Sequence, residues 1–249
     1  MNKKSLSSII LIFLIFSGTP LLSQNKNEIN LSAGFIQIKD DFNQGMVFNG
    51  TQINFQYRHL WDLSVVELTY NPKIALGIAF NRGMIAVNIN FVPVDISCLK
   101  TIYESNRHSV KAGLNFATNY SYQSYPDLQN AHLFWFGEIG FSPEIQYKYQ
   151  WDGRGVKISL QNSVLGFVSR NTSNDPYFYS LKFSDFIVRP HKHMKFGSFD
   201  KYNHTKFRIE YLPDVSKTNS FGFCLEYIEA YFNIHFQSLN YSLQWRKTF

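Results

Sequence analysis

Short stretches in which apolar and polar residues alternate recur along most of the chain. Between residues 51 and 61, Ile53 and Phe55 share one face of a predicted strand, whereas Gln52, Asn54 and Gln56 share the other. This period of two is typical of β-strands with one apolar face, because successive side chains of a strand point to opposite sides. The pattern predicts about twelve strands, over residues 28–38, 51–61, 63–71, 73–81, 83–92, 108–120, 132–149, 154–168, 176–188, 204–212, 219–229 and 231–248.

Two irregularities allow a smaller number of strands. Pro143 interrupts the segment 132–149. The alternation also changes phase between Phe221 and Phe236, which requires a bulge or a turn inside that run. Eight or ten strands are therefore the alternatives to twelve.

Alternation of this kind fits two all-β architectures. A β-sandwich or lipocalin-like barrel turns its apolar face toward a shared core, whereas a transmembrane barrel turns that face toward lipid and its polar face toward a hydrated lumen. The polar positions here are mostly Asn, Gln, Ser, Thr and Gly, whereas a water-facing surface is usually rich in Lys and Glu. Aromatic residues make up 17% of the chain and charged residues also 17%, below the roughly 25% charged residues of soluble domains. Both observations favour an antiparallel transmembrane β-barrel, with a secreted soluble β-sandwich or lipocalin-like binding protein as the alternative.

The N-terminal segment differs from the rest of the chain. Lys3 and Lys4 precede the uninterrupted apolar run Ile9–Phe16, and Ser17–Pro20 ends it. This layout is typical of a secretory signal peptide, and the run is shorter than the roughly 20 apolar residues of a transmembrane helix. We predict a signal peptide over residues 1–23 and a single barrel domain over residues 24–249.

The C-terminal segment carries the most specific pattern. Apolar residues and polar residues alternate from residue 239 to the aromatic residue Phe249, except that Lys247 takes one of the apolar positions. An aromatic final residue on such a strand resembles the terminal strand of Gram-negative outer-membrane β-barrels. The resemblance implies an exported protein that contacts outer-membrane lipid and is recognised by the barrel-assembly machinery during insertion. The residues that would form this insertion signal are Tyr241, Leu243, Trp245 and Phe249.

Aromatic residues also collect near the predicted strand ends, as in the interfacial girdles of transmembrane barrels. These residues are Tyr57 with Trp61, Tyr120 with Tyr122 and Tyr125, Tyr147 with Tyr149 and Trp151, and Tyr241 with Trp245. Asp62, Asn71-Pro72 and Asn81-Arg82-Gly83 are typical of tight periplasmic turns, because Gly, Pro and Asn supply the turn dihedral angles. Outward-facing loops are expected over residues 40–50, 123–131, 170–176 and 190–203.

One connection has a cluster of basic and imidazole side chains, formed by Arg189, His191, Lys192, His193 and Lys195. Two His residues at positions i and i+2 project to the same side of a strand, so the cluster is a candidate for a metal ion or for the phosphates of lipopolysaccharide. Further metal ligands cannot be placed, and a solvated loop is the simpler interpretation. No motif indicates a cofactor, and a formal net charge of +6 does not indicate nucleic-acid binding.

Charges of both signs fall on the faces predicted to point into the barrel. They would pair and fill a narrow lumen, or select solutes in a wide one. Cys98 and Cys224 are too few for a disulfide framework and are interpreted as small apolar residues, although one disulfide is an alternative. The predicted lumen charges are Arg58, Lys111, Glu138, Glu144, Lys157, Glu226 and Arg246.

These observations predict an outer-membrane β-barrel that acts as a passive pore or as a non-enzymatic structural or surface protein. A lipid-modifying acylhydrolase is an alternative, because some outer-membrane barrels carry a Ser-His pair on their exterior. His108 and Ser109 are neighbours and point to opposite faces, so they cannot form that pair. His235 has Ser238 only at i+3. We therefore expect no enzymatic activity.

Overall fold

The computed structural model describes residues 24–63, 66–127, 132–163, 165–170, 188–191, 194–198, 200–214, 218–232 and 234–249. The predicted signal peptide and most of the predicted strand 176–188 lie outside the described residues. Among the described residues, no helix is long and apolar enough to cross a membrane. The β-segments are β1 (Gln24–Asp40), β2 (Val47–Leu63), β3 (Val66–Tyr70), β4 (Lys73–Asn81), β5 (Met84–Glu104), β6 (His108–Tyr125), β7 (His132–Trp151), β8 (Arg154–Asn162), β9 (Leu165–Arg170), β10 (Lys195–Ser198), β11 (Tyr202–Leu212), β12 (Asn219–Phe232) and β13 (Ile234–Thr248).

These thirteen segments form one antiparallel sheet that closes on itself, because β1 pairs with β2 on one side and with β13 on the other. Three strands consist of two segments in line. β3 and β4 form one strand, which lies between β2 and β5. β8 and β9 form the strand next to β7. β10 and β11 form the next strand, in which β10 pairs with β9 and β11 pairs with β8. The described residues therefore form a closed barrel of ten strands, one of the two alternatives to twelve.

The predicted turn at Asn71-Pro72 is wrong. β3 and β4 keep one register against β2, with His59 opposite Tyr70 and Gln56 opposite Lys73. Between these pairs, the Tyr57 amide donates to the Pro72 carbonyl at 3.1 Å. The chain therefore continues in the same direction, and the predicted strands 63–71 and 73–81 are one strand.

Pro143 lies inside β7 and does not end it. On one side it stays paired with Leu114 of β6. On the other side, Glu144–Trp151 of β7 pair with β8, and Phe136–Phe141 of β7 pair with β9. The pairing is therefore interrupted around the proline. Because proline has no N–H to donate, the neighbouring strand is divided into β8 and β9 while β7 remains continuous.

Both termini of the barrel lie at the same end, where the Phe249 amide donates to the Asn27 carbonyl at 2.9 Å. We call this the terminal end, and the opposite end the loop end. β1, β6 and β9 all finish at the loop end, as expected for strands that lead into the predicted outward loops. The Arg82-Gly83 turn has positive φ at both residues (45° and 88°), as a two-residue hairpin requires. This turn also lies at the loop end, opposite the turn that follows Asp62, so these two predicted turns cannot both be periplasmic.

Over most of its length the barrel has an apolar outer surface and a polar interior. On β2, the outward Ile53 is 66% exposed, whereas the inward Gln52 and Asn54 are 4% and 7% exposed. Leu114 on β6 and Leu243 on β13 are similarly exposed. A surface of this kind is stable against lipid, because water-exposed apolar area of this size is rare in soluble monomers.

On β1 and β13 this polarity is inverted at the loop end. Ile36 and Ile38 of β1 point inward and are buried, while Gln37 between them and Lys39 after them face outward. On β13, Phe236 is likewise buried inside the barrel. An apolar interior with a polar exterior is the arrangement of a barrel wall surrounded by water.

The inversion explains the change of phase between Phe221 and Phe236. Phe221 lies on the outer surface, whereas Phe232 and Phe236 pack inside at the loop end. A hairpin does occur in this run, where Phe232 pairs with Ile234. β12 and β13 nevertheless keep the same inward parity across it, so the phase change reflects the inverted polarity and no bulge is needed.

Aromatic side chains surround the outer surface at the terminal end. His59 contacts Trp61 with ring centroids 4.2 Å apart, and Tyr149 stacks on Trp151 at 5.4 Å. Trp245 of β13 is exposed at the same end. The prediction is wrong for Tyr125, which is 1% exposed and lies inside the barrel. Cys98 is exposed on the outer surface and Cys224 is buried in the lumen, and both are free thiols.

Candidate functional site: the barrel lumen

An apolar cluster fills the lumen at the loop end. Its members contact one another, and every one of them is at most 7% exposed. Each of the ten barrel strands contributes at least one side chain, so the cluster extends across the whole section of the lumen. We call it the seal. It consists of Ile36, Ile38, Phe48, Ala79, Ala86, Tyr125, Phe134, Phe136, Val168, Tyr202, Ile228, Ala230 and Phe236.

Ring contacts and one ion pair fix the seal. Phe136 stacks on Phe236 with ring centroids 4.9 Å apart, and Phe48 meets Tyr125 edge-on, also at 4.9 Å. The Arg170 guanidinium lies 4.5 Å from the Phe236 ring centroid and forms an ion pair with Asp40. Asp40 is 1% exposed, so the guanidinium provides the charge partner that a buried carboxylate requires.

Below the seal, a row of charged groups crosses the lumen. The His204 ring lies between two carboxylates, with Nδ1 2.7 Å from Glu138 Oε1 and Nε2 3.2 Å from Glu226 Oε1. Lys73 Nζ is 2.8 Å from the other oxygen of Glu226. These residues lie on β4, β7, β11 and β12, so the contacts connect strands that are far apart in the chain.

A second polar layer connects the opposite wall. Asn115 donates through its amide nitrogen to Asp95 and, at 2.9 Å, to the Ser97 hydroxyl. Ser97 in turn donates to Glu144 at 2.6 Å, and Lys206 Nζ lies 3.5 Å from Asp95. Hydrogen bonds between inward polar groups satisfy side chains that would be costly to bury alone.

Near the terminal end the ion pairs form two groups. In the first, Arg58 lies 3.3 Å from Glu28 and 3.4 Å from Glu67, and Lys111 Nζ is 2.6 Å from Glu67. These ion pairs bring β1, β2 and β3 together at the Arg58 guanidinium.

In the second group, one guanidinium nitrogen of Arg246 contacts both oxygens of Glu210, at 2.8 and 2.7 Å. Ser220 also donates to Glu210. Lys157 is more distant from the same carboxylate, at 3.7 Å.

A cavity of about 310 Å³ lies between these groups at the terminal end. We call it the vestibule. Its exposed lining residues Lys26 and Thr218 connect it to solvent. Three further cavities of about 20 Å³ each lie deeper in the lumen, one of them bordered by Ile36, Ile228 and Phe236 of the seal, and each has space for about one water molecule. The lumen therefore changes from a hydrated vestibule to a packed polar middle and then to an apolar seal.

The structure places all seven predicted lumen charges inside the barrel. Of the two predicted roles for these charges, it supports pairing within a narrow lumen and not the selection of solutes in a wide one. Sequence reasoning missed several of their partners, among them Glu28, Lys73, His204 and Glu210. His204 begins the predicted strand 204–212, and the sequence pattern predicts no partner for it. A continuous parity count along 202–212 would place it on the same face as Lys206 and Arg208.

The predicted basic cluster is only partly described. His191 Nε2 lies 3.1 Å from the hydroxyl of Tyr120, so this ring contacts the barrel wall at the loop end. Lys195 is exposed and begins β10, opposite Val168 of β9. Arg189 lies in a single 3₁₀ turn with His191, and Lys192 and His193 lie outside the described residues. A metal or phosphate site in this loop stays a prediction.

The predicted insertion-signal residues lie on the seam that closes the barrel. Tyr241, Leu243 and Trp245 are on the outward face of β13, paired with Phe35, Ala33 and Leu31 of β1. Phe249 is 61% exposed at the terminal end. Their recognition by the assembly machinery stays a prediction.

No protein-family model matches the chain, and no curated protein sequence matches it. Among solved structures, the barrel is similar to the outer membrane protease OmpT from Escherichia coli, with a TM-score of 0.51 and 8% identity over 92% of this chain and 98% of that chain. The chain has the fold of a Gram-negative outer-membrane β-barrel. At this identity the likeness concerns the fold of the outer-membrane barrel alone, and proteolysis is a property of OmpT.

Two further solved structures are similar to this barrel at lower scores. The translocator domain of the autotransporter NalP from Neisseria meningitidis gives a TM-score of 0.44 and 4% identity, over 98% of this chain and 95% of that chain. An outer membrane channel from Pseudomonas putida F1 gives 0.43 and 9%, over 93% and 97%. Neither score is high enough to add to the argument from OmpT.

Proposed function

We propose that this outer-membrane barrel is closed in its resting state and acts as a non-enzymatic structural or surface protein of the outer membrane. One observation carries the proposal: the seal takes side chains from all ten strands and fills the lumen at the loop end. A passive pore needs a continuous hydrated path, and a layer of buried apolar side chains in mutual contact opposes the passage of ions and polar solutes.

The orientation follows from the lengths of the connections. More residues separate Arg170 at the end of β9 from Lys195 at the start of β10 than separate any other two successive described strands, and both of these residues lie at the loop end. Outer-membrane barrels have short periplasmic turns and longer extracellular loops. We infer that the loop end faces the cell exterior and the terminal end the periplasm. In this orientation the loops, including the cluster at Arg189 and His191, would meet lipopolysaccharide.

The membrane location is tested by fractionation together with a gel comparing heated and unheated samples. We expect the mature protein in the outer-membrane fraction, with faster mobility before heating because the closed barrel stays compact in detergent. Recovery as a soluble species without a mobility shift would contradict the location and support the secreted alternative.

The closed state is tested by planar-bilayer recording on the refolded protein. We expect no steady conductance above the lipid background. A stable open level in every insertion would show that the seal does not close the lumen and would restore the passive pore.

The histidine contacts support the absence of acylhydrolase activity. Among the described side chains, the rings of His59, His108 and His191 are hydrogen-bonded to Asn27, Tyr147 and Tyr120. The ring hydrogen bonds of the other two, His204 and His235, go to carboxylates. None of these rings is hydrogen-bonded to a serine hydroxyl, which a Ser-His pair requires. Release of fatty acid from phospholipid or lipopolysaccharide by the purified barrel, lost on changing one His, would overturn this part of the proposal.

A further inference from the structure

The vestibule has more positive than negative groups in its wall. Six basic side chains and three carboxylates are among the described residues that line it. The carboxylates are already engaged: Glu28 and Glu67 bind Arg58, and Glu210 binds Arg246. The remaining positive charge therefore has no equivalent counter-charge among the described lining residues.

Two of these basic side chains lie directly opposite each other. Lys148 of β7 pairs in register with Lys157 of β8, and both face the vestibule. Like charges directly opposite on neighbouring strands destabilise a sheet. This arrangement costs free energy in the empty barrel, so it needs a compensating interaction.

Among the described residues, Lys148 has no ion-pair partner and Lys157 shares its partner. No described carboxylate lies within 4 Å of the Lys148 ammonium group. Lys157 has a single contact, 3.7 Å from Glu210, and that carboxylate already accepts from Arg246 and Ser220. A third lysine, Lys26, lines the mouth of the vestibule and is exposed.

We propose that the vestibule is a binding site for a small polyanion whose carboxylate or phosphate groups lie between Lys148 and Lys157. Its volume of about 310 Å³ is at the lower end of small-ligand pockets. Neutral donors that can complete the anion's hydrogen bonds also line it, among them Ser109, which lies opposite Lys148 on β6. The ligand enters from the compartment that the terminal end faces, and it needs no path through the seal.

The binding test is titration calorimetry of the full-length mature barrel in detergent with pyrophosphate and, separately, with citrate. We expect binding of at least one anion, with an affinity that falls as NaCl is raised because salt screens exposed charges. Preference for pyrophosphate would identify phosphate groups as the ligand chemistry, and preference for citrate would identify carboxylates.

The double variant Lys148→Gln/Lys157→Gln tests the site itself. We expect its affinity for the anion to fall at least tenfold. The control is Lys39→Gln/Lys201→Gln, which removes the same charge at the loop end and should bind like the wild type. Unchanged affinity in the Lys148/Lys157 variant, an equal loss in the control, or no binding of either anion by the wild type would each overturn the proposal.

A stability measurement separates anion binding from a purely structural role. In the absence of anion, the variant Lys148→Gln should unfold at a higher urea concentration than the wild type, because the like-charge opposition is gone. Added anion should raise the wild-type midpoint by mass action and leave the variant's midpoint unchanged. A variant less stable than the wild type, or one stabilised equally by the anion, would contradict the proposal. These outcomes do not depend on conductance, so they are distinguishable from failure of the closed state.

Discussion

Among the described lumen carboxylates near the terminal end, Glu210 has the most ionic and hydrogen-bond partners. It is 4% exposed and accepts from Arg246 and Ser220. Removing its charge leaves the Arg246 guanidinium, itself 5% exposed, with only the longer contact to Glu28 at 3.5 Å. An incompletely paired buried charge is among the most costly defects in a folded chain.

We therefore predict that Glu210→Gln lowers the free energy of unfolding by about 3–5 kcal/mol, the range for breaking a buried ion pair from one side. Urea unfolding of the barrel in lipid vesicles, followed by tryptophan fluorescence, measures this change. The matched control is Glu229→Gln at the loop end, where Glu229 accepts from Gln237 and Tyr231 on the outer surface. We expect the control to change stability by less than about 1 kcal/mol, and equal effects of the two substitutions would contradict the argument.

At the scale of single elements, β13 connects the two ends of the sheet. It pairs with β12 through the hairpin at Phe232 and with β1 along thirteen register positions from Glu28 to Asp40. Backbone hydrogen bonds between Phe249 and Asn27 run in both directions, at 2.9 and 3.3 Å. The Phe249 ring itself is mostly exposed, so its side chain contributes little packing to the closed seam.

This exposure makes the role of the Phe249 side chain testable. We predict that Phe249→Ser reduces the amount of assembled barrel in cells several-fold, while refolding of the purified chain into lipid vesicles changes little. The first result would follow from loss of a recognition signal, and the second from the small contribution of the ring to packing. Unheated gel mobility measures the folded fraction in both settings.

The control for this experiment is Phe80→Ser, which changes an outward Phe of β4 that is 53% exposed at the loop end. We expect normal assembly in cells for this variant. If both variants assemble normally, Phe249 is no signal; if Phe249→Ser also fails to refold in vesicles, its effect is structural.

The sequence predicted most strands because the period of two is a local property of the lipid-facing wall. It could not decide whether Asn71-Pro72 reverses the chain, since the same residues that favour a turn also interrupt pairing inside a strand. Only the unbroken register from His59 to Gln56 against β3 and β4 shows that the direction is kept.

Within the lumen, the sequence predicted seven of the charges that face inward but not the pairs that they form. Pairing between Lys73 and Glu226, or between Arg246 and Glu210, depends on which walls of the closed barrel face each other. Parity along one strand contains no information about that. The vestibule was missed for the same reason, because Lys148 and Lys157 become neighbours only through the register of β7 and β8.

At the scale of the whole molecule, the barrel combines two kinds of wall. Between the terminal end and the seal, apolar residues lie outside and paired charges inside. At the loop end of β1 and β13, apolar residues lie inside and polar residues outside. Barrel strands that extend past the hydrocarbon layer meet water on their outer side, so the hydrophobic effect there favours burial of apolar groups inside the barrel. The seal is a consequence of strands longer than the membrane requires: β1 has 17 residues, against the roughly 9–11 that span a bilayer.

If the seal closes the lumen, removing bulky side chains from it should open the barrel. The charged layers between the seal and the terminal end should stay intact. We predict that Phe136→Ala/Phe236→Ala, which removes a pair stacked at 4.9 Å, converts a non-conducting barrel into one with discrete current steps in a planar bilayer. Each truncation costs about 3–5 kcal/mol of packing, so the gel mobility shift must first show that the variant still folds.

The control Phe55→Ala/Phe80→Ala removes two outward rings of the lipid-facing surface and should stay closed. Because the same atoms are deleted in both double variants, a difference in conductance reports the position of the rings relative to the lumen. If the Phe136/Phe236 variant folds but does not conduct, the charged middle layer blocks ions by itself. In this layer His204 lies between Glu138 and Glu226. In that case the ion pairs would close the lumen without the seal, and combining Glu226→Gln with the Phe136/Phe236 variant should produce conductance.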